Sequence, residues 1–228
     1  MLAPGVGGAA TDLDAGRAAL EKGEERFDRL ALEAALKHFQ KVAQVDGAPA
    51  LLPYWQARAS LALVSWHQLH HAADRALHYV DRAVESGRQA VEANPLHSDS
   101  HRVLGEALGR LIGLRGWTAG ALHGRRAQNA LALAVRLDPQ NVKALVATGV
   151  SKLRTPKLFG GDADAAVRAF EKARVLDPHA WEPHAWLGIA AKERGDAAAA
   201  LTFFLHALML NPYNEWVRSE IALLGWRR

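Results

Sequence analysis

The sequence predicts an all-α chain, a right-handed α-solenoid of about five helix hairpins closed by a C-terminal capping helix. Three observations carry that expectation. Ala and Leu dominate a chain of 228 residues that is 50% hydrophobic, and such side chains lose little rotamer freedom in a helix. Asp-Pro or Asn-Pro closes four similar phrases, at Pro95, Pro139, Pro178 and Pro212, each after helical apolar spacing that the proline stops. Those prolines stand 44, 39 and 34 residues apart, so the ends recur while the middles vary, as insertions between helices would make them.

The elements follow in order. Residues 1–14, starting MLAPGVGG, read as a flexible N-terminal segment, and 15–228 as one helical-repeat domain. In the unit 16–47, Gly23, Ala35, Phe39 and Val42 set the spacing, with Gly47 where a proline would close it. The unit 51–95 shows Ala83, Gly87 and Ala90 before Pro95, and its first helix, LPYWQARASLALVSWHQLHH, has no settled register. In 98–139, Leu104-Gly105 precede Ala127, Leu131 and Ala134; the glycine-rich elbow GLRGWTAGALHG between them is not expected to be a regular helix throughout. In 142–178, Gly149 precedes Ala166, Phe170 and Ala173. Its elbow is stopped by Pro156, turned by two glycines at φ > 0, Gly160-Gly161, and restarted by Asp162 as N-cap, with Leu158 and Phe159 tucked against the helix pair. In 181–212, Leu187-Gly188, Ala200, Phe204 and Ala207 lead to Pro212, and Gly195-Asp196 supply turn and cap. Residues 213–228 form the final covering helix, with Trp216 and Trp226 packing there.

The last unit resembles the tetratricopeptide-repeat (TPR) family nearly position by position, with Ala191 where a large aromatic is usual. The likeness extends over about residues 15–228. A narrower stretch, GRQAVEANPLHSDSHRVLGEALGRLIGLRGWTAG, is similar to bacterial relatives of the regulator of microtubule dynamics proteins, which implies a helical-repeat scaffold and nothing about microtubules. The TPR resemblance implies a non-catalytic scaffold or adaptor whose concave groove, lined by the first helices, binds a peptide or partner helix. By repeat position the partner-binding candidates are Arg102, Glu106 and Arg110, then Lys143 and Arg154, then Lys192 and Glu193. Basic residues lead among them, which suggests a partner with carboxylates. Trp117, in the glycine-rich elbow, is a further candidate because loop aromatics are often recruited for binding.

Other chemistry finds little purchase. The FGGD loop lacks a Gly-Lys-Ser/Thr pattern and a preceding strand, and Asp162 would repel a phosphate, so the elbow reading is preferred. His67 with His71, and His97 with His101, are four apart, a spacing that places two metal ligands on one helix face, but no third ligand accompanies either pair. Trp55, Trp66 and Trp186 read as core. No nucleophile elbow or acid–base pair stands out, so no catalytic, cofactor or metal site is expected. A metal- or small-ligand-binding repeat protein, and an assembly factor that self-associates through its end helices, are the alternatives.

The bulk numbers bound the rest. A net charge of +4 without a Lys/Arg block is not a nucleic-acid footprint. Zero cysteines exclude disulfides and thiolate chemistry. No apolar run is long enough to span a membrane. The start has no basic segment followed by a long apolar one, so the chain as it stands is expected in the cytoplasm, and in the periplasm if a signal peptide has been removed.

Overall fold

The computed structural model describes residues 6–225. Among them are eleven α-helices and no strand: α1 (Val6–Arg26), α2 (Arg29–Val42), α3 (Leu52–Leu69), α4 (Ala73–Ala93), α5 (Ser98–Arg115), α6 (Trp117–Leu137), α7 (Val142–Arg154), α8 (Ala163–Leu176), α9 (Trp181–Glu193), α10 (Ala197–Leu210) and α11 (Glu215–Gly225). The chain divides into two compact units, residues 1–130 and 131–228, with the division inside α6. None of these helices is long and apolar enough to cross a membrane.

The repeated Asp/Asn-Pro phrase has a local cause. Asn94, Asp138, Asp177 and Asn211 each end a helix, donating their backbone N–H to Ala90, Ala134, Ala173 and Ala207. Each carbonyl then accepts from the N–H three residues on, a turn whose second position suits proline, with its preset φ. The side chains of Asp138, Asp177 and Asn211 also accept from the N–H two residues ahead, at 2.9, 2.9 and 3.1 Å. One short acidic or amide side chain therefore stops a helix and folds the turn that starts the next hairpin. At the opposite helix ends Asp28, Asn141, Asp162 and Asp196 accept from the third N–H of α2, α7, α8 and α10.

The first unit is built from α1/α2, α3/α4, and α5 with the N-terminal part of α6. Leu20, Leu32, Leu36 and Phe39 pack with Leu63, Val64, Val80 and Leu111. Tyr54, Ala57, Ala83, Ala90, Val103 and Ala107 form a second layer, and Leu104, Leu108 and Ala127 a third. In the second unit Leu145, Phe170 and Ala173 of α7/α8 pack with Leu187 of α9. Ala185, Ile189, Phe204 and Ala207 of α9/α10 pack in turn with Val217 of α11, which makes α11 the cap. Within the second unit each hairpin thus completes its core with the helix that follows. The close approach within a hairpin depends on one glycine: a Cβ on Gly188 would stand 2.5 Å from the Phe204 ring, and on Gly149 2.3 Å from that of Phe170.

The glycine-rich elbow 113–124 is not a regular helix throughout, as expected, but its break is confined to Gly116 (φ 79°, ψ −157°), and α6 continues through Gly120 and Gly124. Three local expectations change. Helix α1 begins at Val6, inside the segment expected to be flexible, and is held there by Asp12, which His38 contacts at 2.7 Å. At the second elbow only Gly160 is left-handed (φ 90°); Gly161 is required because a Cβ would lie 1.7 Å from the Thr155 carbonyl oxygen. Leu158 and Phe159 do not tuck in. They sit on a 3-10 turn (Lys157–Phe159), 87% and 67% exposed, because Pro156 accepts from the N–H groups of Phe159 and Gly161 and closes the turn on itself.

Candidate partner-binding faces

The candidates in the first unit lie along α5 and the N-terminal end of α6. Arg102 is 4% exposed, so it is a buried member of the fold and not a surface contact. Its Nε donates to Asp99 (2.7 Å) and its Nη1 to Glu106 (2.9 Å), while Nη2 is buried without a partner. Burial alone would depress this guanidinium; Glu106 and Asp99 more than offset that and hold it charged. Tyr54 on α3 donates to the same Asp99 at 3.2 Å. One step along, Arg58 donates through Nε to Glu24 of α1 at 2.8 Å and lies over Trp55. Arg110, one helical face further out, donates to Gln68 (2.9 Å) and Ser65 (3.2 Å) of α3. These side chains tie α1, α3 and α5 together. Trp117 stands apart from them, 82% exposed at the first position of α6.

In the second unit, helical spacing puts Lys143, Ala147, Val150 and Arg154 on one stripe of α7 and Glu182, Trp186, Ile189 and Glu193 on one stripe of α9. Trp216, Glu220 and Leu223 make the matching stripe of α11. Trp186 and Trp216, both half-buried, meet with ring centroids 5.1 Å apart, and Trp181 reaches Trp216 at 6.3 Å. Arg154 lies over the Trp186 ring, 5.5 Å from its centroid, and donates to Glu193 at 2.9 Å. Lys192 is ion-paired with Glu220. Lys143 is exposed at the first turn of α7. The structure thus brings Arg154 and Glu193 together as one pair and places Lys192 beside a partner, Glu220, that the sequence reading left out. The tryptophans were legible only as core, because Trp186 and Trp216 lie on different helices and meet only through the packing of α9 with α11.

Neither histidine pair shares a helix face. His71 lies past the end of α3 in a left-handed conformation (φ 56°), and His97 is the N-cap position of α5, its Nδ1 2.9 Å from Ser100 Oγ. His101 is buried and its Nε2 is bound to the Pro95 carbonyl at 2.7 Å, as a packing role predicts. Among the described residues no group of three or more His, Asp or Glu side chains is placed to hold a metal ion. Trp226, Arg227 and Arg228 lie outside the described residues.

No family model matches the chain, and no curated protein does. Solved structures do. TTC0263, a thermophilic TPR protein of Thermus thermophilus, superposes over 93% of this chain and 100% of its own, with a TM-score of 0.70 at 22% identity. This chain has the tetratricopeptide-repeat fold. MamA 41-end from Desulfovibrio magneticus RS-1 is similar over 91% of this chain and 97% of its own, with a TM-score of 0.50 at 18% identity. In TPR terms the five hairpins are the repeats, and α7, α9 and α11 are the first-helix positions of the second unit.

Proposed function

We propose that this chain is a non-catalytic interaction scaffold that holds an extended peptide or a partner helix against the first-helix face of its second unit. The observation that supports this most is the row formed by Trp181, Trp186 and Trp216, half-buried and edged by Arg154. Large rigid aromatics that are partly covered in the free protein cost little further ordering when a partner covers them, and Trp and Arg dominate the energetics of protein interfaces. The first unit offers less, because Arg102 and Arg58 are already engaged with carboxylates of their own unit. Reversing the charge of Arg102 would bury a carboxylate beside Asp99 and Glu106, so it tests folding and not docking. Affinity capture from the host with mass spectrometry, run on the wild type, Trp186→Ala and Arg154→Glu, is the appropriate test. A specific partner lost with both variants is expected. Capture unchanged by either would remove the reading.

A second reading is favoured by α10. Its sequence AAAALTFFLHALML carries no Asp, Glu, Lys or Arg, and Leu201, Leu205 and Met209 stand exposed one turn apart. A second copy of the chain presents the same uncharged stripe, so two copies can pair through it about a two-fold axis. Mass measured against concentration, for the wild type and Leu205→Glu, separates a self-associating protein from a monomer.

A further inference from the structure

The second helices of the first unit, α2 and α4, border a cavity of about 170 Å³ lined by Glu33, Leu36, Lys37 and Gln40 of α2 and by Tyr79 and Arg82 of α4. Its carboxylate, Glu33, is already bound by Arg29 at 2.6 Å. Lys37 and Arg82 have no carboxylate partner among the described residues, nor has Arg75, two turns before Arg82 on the same stripe of α4. The other charges of the two helices are committed or lie off that stripe. Asp81 binds Arg115, Glu85 and Glu92 bind Arg88, and Lys41 and His38 reach Asp12 of α1. Asp74 stands about 100° round α4 from Arg75, and Asp46 follows the end of α2. The lining is also rigid. Leu36 and Tyr79 belong to the core, and the Tyr79 ring is fixed by His67, stacked at 5.3 Å, and by His78, edge-on at 5.1 Å.

We infer that this groove docks an acidic, extended segment of a partner protein, one of whose Asp or Glu side chains enters the cavity beside Lys37 and Arg82. This site is independent of the tryptophan face on the second unit. Three features select that chemistry. An incoming carboxylate meets cations that no carboxylate of the chain has neutralised, and exposed Lys37 and half-buried Arg82 lose little hydration in pairing with it. The volume falls below the roughly 300–1,000 Å³ of small-molecule pockets, which suits one side chain and not a whole cofactor. Leu36 and Tyr79 offer an apolar wall to the aliphatic stem of that side chain, which an inorganic anion would leave unused. Arg75 extends the site. It lies seven residues, about 10 Å, from Arg82 along α4. Carboxylates three residues apart on a polyproline-type strand share one face at about 9 Å, so one segment reaches both arginines.

The test is fluorescence anisotropy of a labelled Gly/Ser peptide with Glu at every third position, and of the same peptide with Gln, titrated with the purified full chain. Lys37→Glu and Arg75→Glu are the probes, because both side chains are exposed and both variants should keep the helical circular dichroism of the wild type. Arg154→Glu, on the second unit, makes the same change in net charge and is the control. The Glu peptide should bind and the Gln peptide should not. Its affinity should fall at least about tenfold with Lys37→Glu or Arg75→Glu, stay within about twofold with Arg154→Glu, and weaken in added salt. Equal loss in all three variants, or loss in none, would overturn the location. Displacement of the peptide by an equimolar amount of inorganic phosphate would overturn the peptide in favour of a small anion. Loss confined to Arg154→Glu would overturn the inference and move the acidic segment to the second unit, with the scaffold reading intact. No binding of the Glu peptide at low salt would overturn the inference and leave the tryptophan face untouched.

Discussion

Two glycines in similar helical surroundings are set apart by what lies over them. A Cβ at Gly188 meets the fully buried Phe204 ring at 2.5 Å, and that ring has nowhere to go. Gly188→Ala is therefore expected to lower stability by about 1–3 kcal/mol, the cost of overpacking, despite alanine's better helix propensity. Gly109, exposed in mid-α5, has nothing within 4 Å of the same added atom. There the propensity acts alone, and Gly109→Ala should raise stability by up to about 1 kcal/mol. Chemical denaturation of both variants checks the opposite signs. The arginines of α5 divide in the same way. Arg102→Ala leaves Asp99 and Glu106 without the buried cation between them, whereas the contacts of Arg110 to Gln68 and Ser65 are exposed. Arg102→Ala should be the more destabilising of the two by a wide margin in the same assay.

At the scale of the element, helix ends carry the specification. Helix α11 is short and starts from Asn214, whose Oδ1 accepts from the Val217 N–H at 3.0 Å in a fully buried setting. Asn214→Ala is expected to cost about 1–2 kcal/mol and to release α11 first, seen as faster amide exchange in residues 215–225 than in α9. The hairpins α7/α8 and α9/α10 were readable from sequence because each depends on residues local to it: the Asp/Asn-Pro turn, the capping Asp and the glycine under a phenylalanine. The elbows were not. The break in the glycine-rich stretch is confined to Gly116, with helix on either side of it, and Pro156 closed a turn that carried Leu158 and Phe159 outward. The tryptophan face was missed for a related reason. Trp186 and Trp216 sit 30 residues apart on different helices, and only the packing of α9 against α11 makes them neighbours. The same packing supplies Glu220, which pairs Lys192 and reduces the apparent surplus of basic residues.

Across the whole molecule, each compact unit buries one histidine that no hydrogen bond accounts for. In the first, both ring nitrogens of His67 are buried and unpartnered, and the ring stacks on Tyr79; in the second, Nδ1 of His184 is unpartnered and its ring stacks on His206 at 4.1 Å. Burial is the chief cause that lowers both below the ordinary value of 6.5. Arg75 of α4 and Arg29 of α2 add to it for His67 against Glu33, and His206 of α10 and Arg174 of α8 for His184 against Glu171. Between the lowered folded value and 6.5 the unfolded chain binds more protons than the folded one. Stability is therefore complete above about 6.5 and is lost as pH falls through the folded value. Leu145 stands four residues before Gly149, as His184 stands four before Gly188, so a leucine fits that position in the neighbouring hairpin of the same unit. His184→Leu should leave stability near neutral pH unchanged or higher, and should flatten its fall between about pH 7 and pH 5. Denaturation midpoints across that range decide the matter: curves for the variant and the wild type that run parallel would show that His184 takes no part in the acid response.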